Sequence, residues 1–282
     1  MPLTIISGAS QGLGKTLADK YHLQGHDLVL LARSADKLGE IAGSHNSTPI
    51  REGQTTLPYT IDLSNIEQCK RLGKYIESKD FKIDNIICCA GSAIPKLYQD
   101  LTLEEIDDGI NTNFRTTAYL LHELLPYVID KGHIVLTSST VAFYPLPGYG
   151  QYSPMKCAIR ALADTLEMEL HPRKIHVHTF FPGNFASEGY IKENLSKPEI
   201  TKLIEGPSTA ISVNECADIL IKEINNGEHY IHTDTVGWLL ACFSLGLSPR
   251  CKWYLIPLQI IIGILGTLLS RLINIYHRSL VE

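Results

Sequence analysis

The sequence predicts an α/β protein built on a doubly wound parallel sheet. Three observations carry that prediction: short apolar runs rich in β-branched residues, helix-length amphipathic stretches between them, and unbroken apolar character in runs such as 28–32. A strand that is apolar at successive positions is covered on both faces, as in a parallel sheet flanked by helices and unlike a sandwich or barrel. The runs lie at residues 3–6, 28–32, 56–61, 84–89, 133–138, 175–181 and 229–232.

The 282 residues, 44% hydrophobic and 20% charged, suffice for one large domain with a full core. Lys and Arg total 25 against 30 Asp and Glu, and no stretch gathers five basic residues, so nucleic acid is excluded as a partner. The seven cysteines are odd in number and lack paired zinc spacing, and the N-terminus does not resemble a secretory signal. Reduced thiols facing the cytosol fit this pattern. The segment 183–210 is rich in turn formers and charge and is expected to be a mobile insertion, either a solvated connector or a lid over a substrate.

Composition shifts after residue 234. Residues 235–249 and 253–270 carry no charge. The second run would be about 27 Å long as a helix, near the thickness of a hydrocarbon core. Trp253, Tyr254 and Tyr276 are placed as interfacial aromatics, and Arg271 and Arg278 could reach headgroups. Pro257, Gly263, Gly266 and Arg271 argue against a simple span, which leaves a helix in the interface or one buried between subunits open. The expected organisation is a catalytic domain over 1–234 and a membrane-associating or oligomerising tail over 235–282.

The first apolar run ends in Ser7-Gly8-Ala9-Ser10-Gln11-Gly12-Leu13-Gly14. Glycines at a strand-to-helix junction permit a tight turn and let backbone N–H groups approach a pyrophosphate at the helix N-terminus. The second run ends in Ala32-Arg33-Ser34, where an NAD-preferring site carries an acid. A guanidinium there favours a ribose 2′-phosphate, so the expected cofactor is NADPH.

Tyr152 and Lys156, at i and i+4, share one helix face. A fixed cation beside a phenol stabilises its phenolate and brings acid–base work within reach of neutral pH. Ser139 at the end of the run 133–138, and Asn113 in an earlier helix-forming stretch, lie where carboxyl ends of parallel strands gather ligands. A hydroxyl beside the phenol can hold a carbonyl oxygen, and a buried amide can order a water that relays protons.

Gly8, Gly12, Gly14, Asn113, Ser139, Tyr152 and Lys156, in this order and spacing, resemble the short-chain dehydrogenase/reductase family over roughly residues 1–234. The resemblance implies a Rossmann-like sheet, with Tyr152 as general acid or base, Lys156 lowering its pKa and binding the nicotinamide ribose, Ser139 orienting the carbonyl and Asn113 ordering the relay water. It implies cofactor contacts at Gly8, Ser10, Gln11, Gly12, Leu13, Gly14, Arg33, Ser34, Asp62, Leu63, Ala90, Gly91, Tyr152, Lys156, Pro182, Gly183 and Ser187. Asp62 takes the place of the adenine-contacting acid and Ser187 that of the usual threonine. Where the family usually has Asn-Asn-Ala-Gly, this chain reads Cys88-Cys89-Ala90-Gly91, which keeps the small residues and loses the amides.

Ile5–Ser10, Cys89–Gly91, Ala158–Asp164 and the apolar C-terminal pair are similar to fungal 3-ketodihydrosphingosine reductases. That similarity implies reduction of a long-chain keto lipid at the cytosolic face of the endoplasmic reticulum membrane, by a homo-oligomer attached through its tail. A steroid or retinoid reductase would share every catalytic residue. A non-catalytic NADP-sensing protein would not need Ser139, Tyr152 and Lys156 together, and an interaction scaffold would not need Arg33. His171, His176 and His178 are clustered but lack a partner at metal spacing, so no metal is expected. Cys88 and Cys89 are read as packing.

Overall fold

Each residue of the first strand, β1 (Leu3–Ser7), is buried, because neighbouring side chains enter different cores on the two faces of one sheet. Ile5, Val29, Ile86 and Ile134 join one core, while Ile6, Leu28, Leu30, Ile87, Val135 and Phe180 join the other. This two-sided burial explains the unbroken apolar runs, each fully buried Leu or Ile contributing about 1.5–3 kcal/mol. The computed structural model describes residues 1–206, 209–244 and 253–279.

The remaining strands are β2 (Asp27–Ala32), β3 (Thr56–Thr60), β4 (Ile83–Cys88), β5 (Val128–Thr137), β6 (His176–Phe181) and β7 (Tyr230–His232). All pair in parallel in the order β3-β2-β1-β4-β5-β6-β7. The order reverses at β1 and β4, which opens a crevice at their carboxyl ends. Helices α1 (Gly12–Leu23), α2 (Ala35–Ser47) and α9 (Val213–Asn225) cover one face; α3 (Ile66–Ser78), α5 (Thr116–Leu124) and α6 (Ser153–Leu170) cover the other. Helix α4 (Leu103–Ile110) starts at a capping box between Thr102 and Glu105 and runs through a π-helical turn, Asn111–Arg115, into α5.

The segment 183–210 differs from the expected mobile insertion. It holds two helices, α7 (Glu188–Ser196) and α8 (Glu199–Glu205). Ser187 caps the first, its hydroxyl accepting from the Tyr190 N–H at 3.1 Å, and Pro198 precedes the second. The helices are short and their charges pair internally, so their apolar periodicity is too weak to register in the sequence.

Helices α10 (Thr235–Ser244) and α11 (Ile256–Ser279) follow β7. A Cβ at Gly266 would strike the Phe243 ring, so that glycine lets the two helices meet. Ile256, Leu258, Ile260, Ile264, Leu272 and Ile275 of α11 are exposed. Among the described residues no helix is long and apolar enough to cross a membrane. Arg250, Cys251 and Lys252 lie outside the described residues, as do the side chains of Trp253, Arg271 and Arg278.

Candidate active site

The glycine turn is closed by backbone contact. Gly8 has φ +68°, and a Cβ there would lie 2.9 Å from the Ala90 nitrogen and 3.0 Å from its Cα, across the β1–β4 crevice. A Cβ at Gly14 would lie 2.8 Å from the Gly8 carbonyl carbon, so only glycine lets α1 start against the strand end. Ser7 pins the far side, its hydroxyl accepting from the Ala90 N–H at 3.3 Å. Gln11 precedes α1 in extended conformation and makes no side-chain cap, so the first-turn N–H groups keep their capacity for an anion. Ser10 and Gly12 are half-buried at this turn, Gln11 is exposed and Leu13 is buried beneath it.

Arg33 and Ser34 are exposed where β2 ends, and among the described residues no hydrogen bond or ion pair occupies the Arg33 guanidinium. Asp62, after β3, is braced by Ser64, whose N–H and hydroxyl donate to one carboxylate oxygen at 2.9 and 2.7 Å; Leu63 is buried beside it. Ser187 closes the group from the opposite loop, its Cβ 3.6 Å from the position a Gly12 Cβ would take. The Gly183 N–H donates to the Thr233 hydroxyl at 2.8 Å and Pro182 is buried, which ties this loop to β7. The residues present fit a dinucleotide carrying a 2′-phosphate, with bare N–H groups for the pyrophosphate and an open cation at the end of β2.

At the carboxyl ends of β4 and β5 four further side chains converge. The Ser139 side chain lies beside the Tyr152 hydroxyl and acts to lower its pKa, while its own Oγ accepts from the Val141 N–H at 3.4 Å. Lys156, buried on α6, donates to the Thr137 carbonyl at 2.9 Å, and its ammonium sits 5.3 Å from the centre of the Tyr152 ring. Asn113 is buried in the π turn; its Nδ2 donates to the carbonyls of Ser92 at 2.8 Å and Gly109 at 3.2 Å, and its Oδ1 accepts from the Ser92 N–H at 3.0 Å. A Cβ on Gly91 would lie 3.1 Å from Asn113 Oδ1 and 3.2 Å from Lys156 Nζ, so both atoms face the space in front of that glycine.

Burial sets the electrostatics of the pair. It raises the Tyr152 phenol above its ordinary pKa; the Glu193 carboxylate adds to the rise and the Ser139 side chain opposes it. Burial pulls Lys156 down to about 8, opposed by Cys89 and Cys88. Cys89 is itself pushed up to about 12 and Cys88 further still, so both thiols stay protonated at neutral pH. Lys156 is not among the groups that lower Tyr152, so the expected depression of the phenol by its ammonium neighbour is not found, and Tyr152 carries its proton at neutral pH.

Several participants escaped the sequence. The Ser138 hydroxyl donates to the Lys156 carbonyl at 2.8 Å, anchoring α6 to the end of β5. The π turn that aims Asn113 has no residue signature. Tyr149, with its ring centre 5.8 Å from that of Tyr152, donates to the Glu193 carboxylate. Neither partner carries a motif. His133, His176 and His178 lie at the opposite rim of the sheet, paired with one another, and among the described residues no cluster of metal-ligating side chains occurs.

Comparison with known proteins agrees with this geometry. The model of the short chain dehydrogenase family matches residues 3–197. The chain is 41% identical to the 3-ketodihydrosphingosine reductase of Debaryomyces hansenii, over 96% of this chain and 86% of that protein. It is 35% identical to the reductase of the same name from Saccharomyces cerevisiae, over 95% of this chain and 89% of that one. A short-chain dehydrogenase from Sphingobium yanoikuyae solved with NADPH superposes with a TM-score of 0.73 at 24% identity, covering 89% of this chain and 96% of that one. An alcohol dehydrogenase from Thermococcus sibiricus solved with 5-hydroxy-NADP gives 0.69 at 25% identity, covering 82% of this chain and 95% of that one. The chain belongs to the short-chain dehydrogenase/reductase family.

Proposed function

We propose that this protein reduces the 3-keto group of a long-chain sphingoid base with NADPH, converting 3-ketodihydrosphingosine to dihydrosphingosine. The observation that carries this reading is the reach of the similarity. The named reductases align over 95–96% of the chain, well past the family model at residue 197 and into the apolar tail, where a substrate-specific part would lie.

Bound NADPH supplies the hydride for the carbonyl carbon. The protein's own residues do the rest. Tyr152, protonated at neutral pH, donates to the carbonyl oxygen, and Ser139, beside that phenol, holds the same oxygen in reach. Lys156 is held at the Tyr152 ring by Thr137, where its ammonium binds ribose hydroxyls and stabilises the phenolate left when the proton is given up. Asn113 spends both amide hydrogens on Ser92 and Gly109; the free lone pair of its Oδ1, facing Lys156 across Gly91, receives the relay water. Arg33 takes the 2′-phosphate. Gly8, Ser10, Gln11, Gly12, Leu13 and Gly14 form the pyrophosphate turn. Asp62 and Leu63 flank the adenine, Ala90 and Gly91 admit the ribose, and Pro182, Gly183 and Ser187 border the carboxamide.

The catalytic unit is residues 1–234, and residues 235–282 attach it to the cytosolic face of the endoplasmic reticulum membrane. The exposed Ile and Leu side chains of α11 support insertion into the interface in preference to a span. The same apolar surface offers a second copy a face for homo-oligomerisation. NADPH oxidation by detergent-solubilised protein, offered a long-chain 3-ketosphingoid base, a steroid ketone and a retinal side by side, tests the assignment. The keto base is expected to respond alone, and a response confined to either rival overturns it. Membrane association predicts pelleting with membranes, lost when 235–282 is deleted.

A further inference from the structure

Thr233 and Asp234, just past the end of β7, join the apolar tail to two sides of the reducing site. Asp234 caps α10: its Oδ1 accepts from the Gly237 N–H at 2.7 Å, and its carbonyl accepts from the Trp238 N–H at 3.3 Å. Its second carboxylate oxygen lies over Gly183, where a Cβ would strike Asp234 Oδ2. The Gly183 N–H donates to the Thr233 hydroxyl at 2.8 Å. That hydroxyl is 3.5 Å from Asp234 Oδ2, so the acid draws its proton away and leaves a lone pair toward Gly183. The first turn of α10 reaches the other side of the site. A Cβ on buried Gly237 would lie 3.0 Å from Thr140 Cγ2, in the turn whose Val141 N–H donates to Ser139 Oγ at 3.4 Å. At its far end α10 meets α11 through Phe243 and Gly266.

A cap whose only task was to start α10 would need one oxygen, and serine or threonine supplies it. A carboxylate supplies two, and here the second is set against the loop after β6. Asp234 is exposed, so it is not a buried charge in need of partners. From α10 two short paths lead to the site: one through Asp234 and Thr233 to Gly183, the other through Gly237 and Thr140 to Ser139. Holding the tail to a membrane requires neither.

We propose that Asp234 is a positioning residue for the reduction: with one oxygen on α10 and the other against Gly183, it makes the first tail helix part of the frame that sets the cofactor loop and the Ser139 turn. The inference rests on Gly183 bordering the cofactor and Ser139 holding the ketone oxygen. It gives α10 a task beyond attachment, since the helix keeps the site in shape as well as in place.

The test uses the full chain in detergent, where attachment to a membrane is not needed. Asp234→Ala removes the cap and the brace together. NADPH affinity by fluorescence titration is expected to fall about ten-fold, the worth of one strong cap. Hydrogen exchange at the Gly183 N–H of the cofactor-free protein is expected to quicken about as much. Asp234→Asn keeps the oxygen for Gly237 and the planar group over Gly183, and is expected to recover most of both. Gly237→Val presses on Thr140, and is expected to lower kcat for the ketone about ten-fold with NADPH affinity unchanged. An Asp234→Ala protein that loses melting temperature but binds NADPH and exchanges Gly183 as wild type does overturns the proposal. If Asp234→Ala does not fold, an unchanged kcat in folded Gly237→Val overturns it. A wild-type protein that binds NADPH without turning over the ketone instead overturns the reductase reading, and the affinity and exchange measurements still decide the role of Asp234.

Discussion

Polar side chains gather at both ends of the β5–β6 pairing, those at the carboxyl end coming from the turn after β5 and the start of α6, and the two ends behave differently. At the amino end, His133 Nδ1 meets His178 Nε2 at 2.9 Å, His178 Nδ1 meets the Glu228 carbonyl at 2.6 Å, and His133 stacks on His176 with ring centres 5.0 Å apart. His178 therefore spends both ring nitrogens, one on His133 and one on the Glu228 carbonyl. At the carboxyl end, the Ser139 hydroxyl accepts from the Val141 N–H at 3.4 Å and keeps its proton to donate, and the Lys156 ammonium has donated to Thr137 with hydrogens to spare. Burial and polarity therefore do not separate a reactive cluster from a structural one; remaining hydrogen-bond capacity beside an open crevice does.

That comparison can be sharpened by substitution at each end. The largest effect is expected from Lys156→Met, which removes the cation at the ring of the acid and should lower kcat/KM about a thousand-fold with an unchanged melting temperature. Ser139→Ala should follow at about a hundred-fold, read in the same NADPH assay, because one donor to the developing oxyanion is lost. Arg33→Asp should leave kcat nearly unchanged and move the NADPH-to-NADH preference by about ten-fold or more, the worth of a charge-assisted bond. Unchanged ratios of kcat/KM for the two cofactors would contradict the role given to Arg33.

Gly14→Ala should act on binding and folding together, since its Cβ would meet Gly8 backbone that has no room to yield. A loss of about 1–3 kcal/mol in a denaturant melt is expected, with weakened NADPH affinity by fluorescence titration.

The smallest effect near neutrality comes from the histidine end. Burial lowers His178 there to about 3, and it lowers His232, which lies at the carboxyl end of β7, to about 4. The folded state therefore refuses protons that the unfolded chain accepts from about pH 6.5 downward. Stability is complete above that value and falls on acidification by up to about 1.4 kcal/mol per pH unit for each such ring. Thermal melts at pH 7.5, 6.5 and 5.5 should show a progressive decline, and a flat series would contradict the burial of these rings in neutral form.

The strands were legible because two-sided burial leaves a mark at every residue, as in Leu28–Leu31, and the glycine turn because close backbone approach admits one residue type. Strand β5 begins five residues before its apolar run, since Gly132 and Lys131, the latter at φ +67°, interrupt its pattern with a local irregularity against β4. Tyr152, Lys156, Ser139 and Asn113 were legible through fixed spacing. The α7–α8 helices were not, because what fixes them is the pairing of Lys197 with Glu193 and Glu205 and with Tyr149, over forty residues upstream. Contacts of that length leave no local period to read.

The central claim is that the Tyr152 hydroxyl delivers the proton while NADPH reduces the ketone. The direct measurement is single-turnover NADPH oxidation with 3-ketodihydrosphingosine by wild-type protein and Tyr152→Phe, each saturated with cofactor and checked for fold. The account predicts that the variant binds NADPH with wild-type affinity and loses at least about a hundred-fold in the oxidation rate. Oxidation at the wild-type rate by a folded Tyr152→Phe would contradict it.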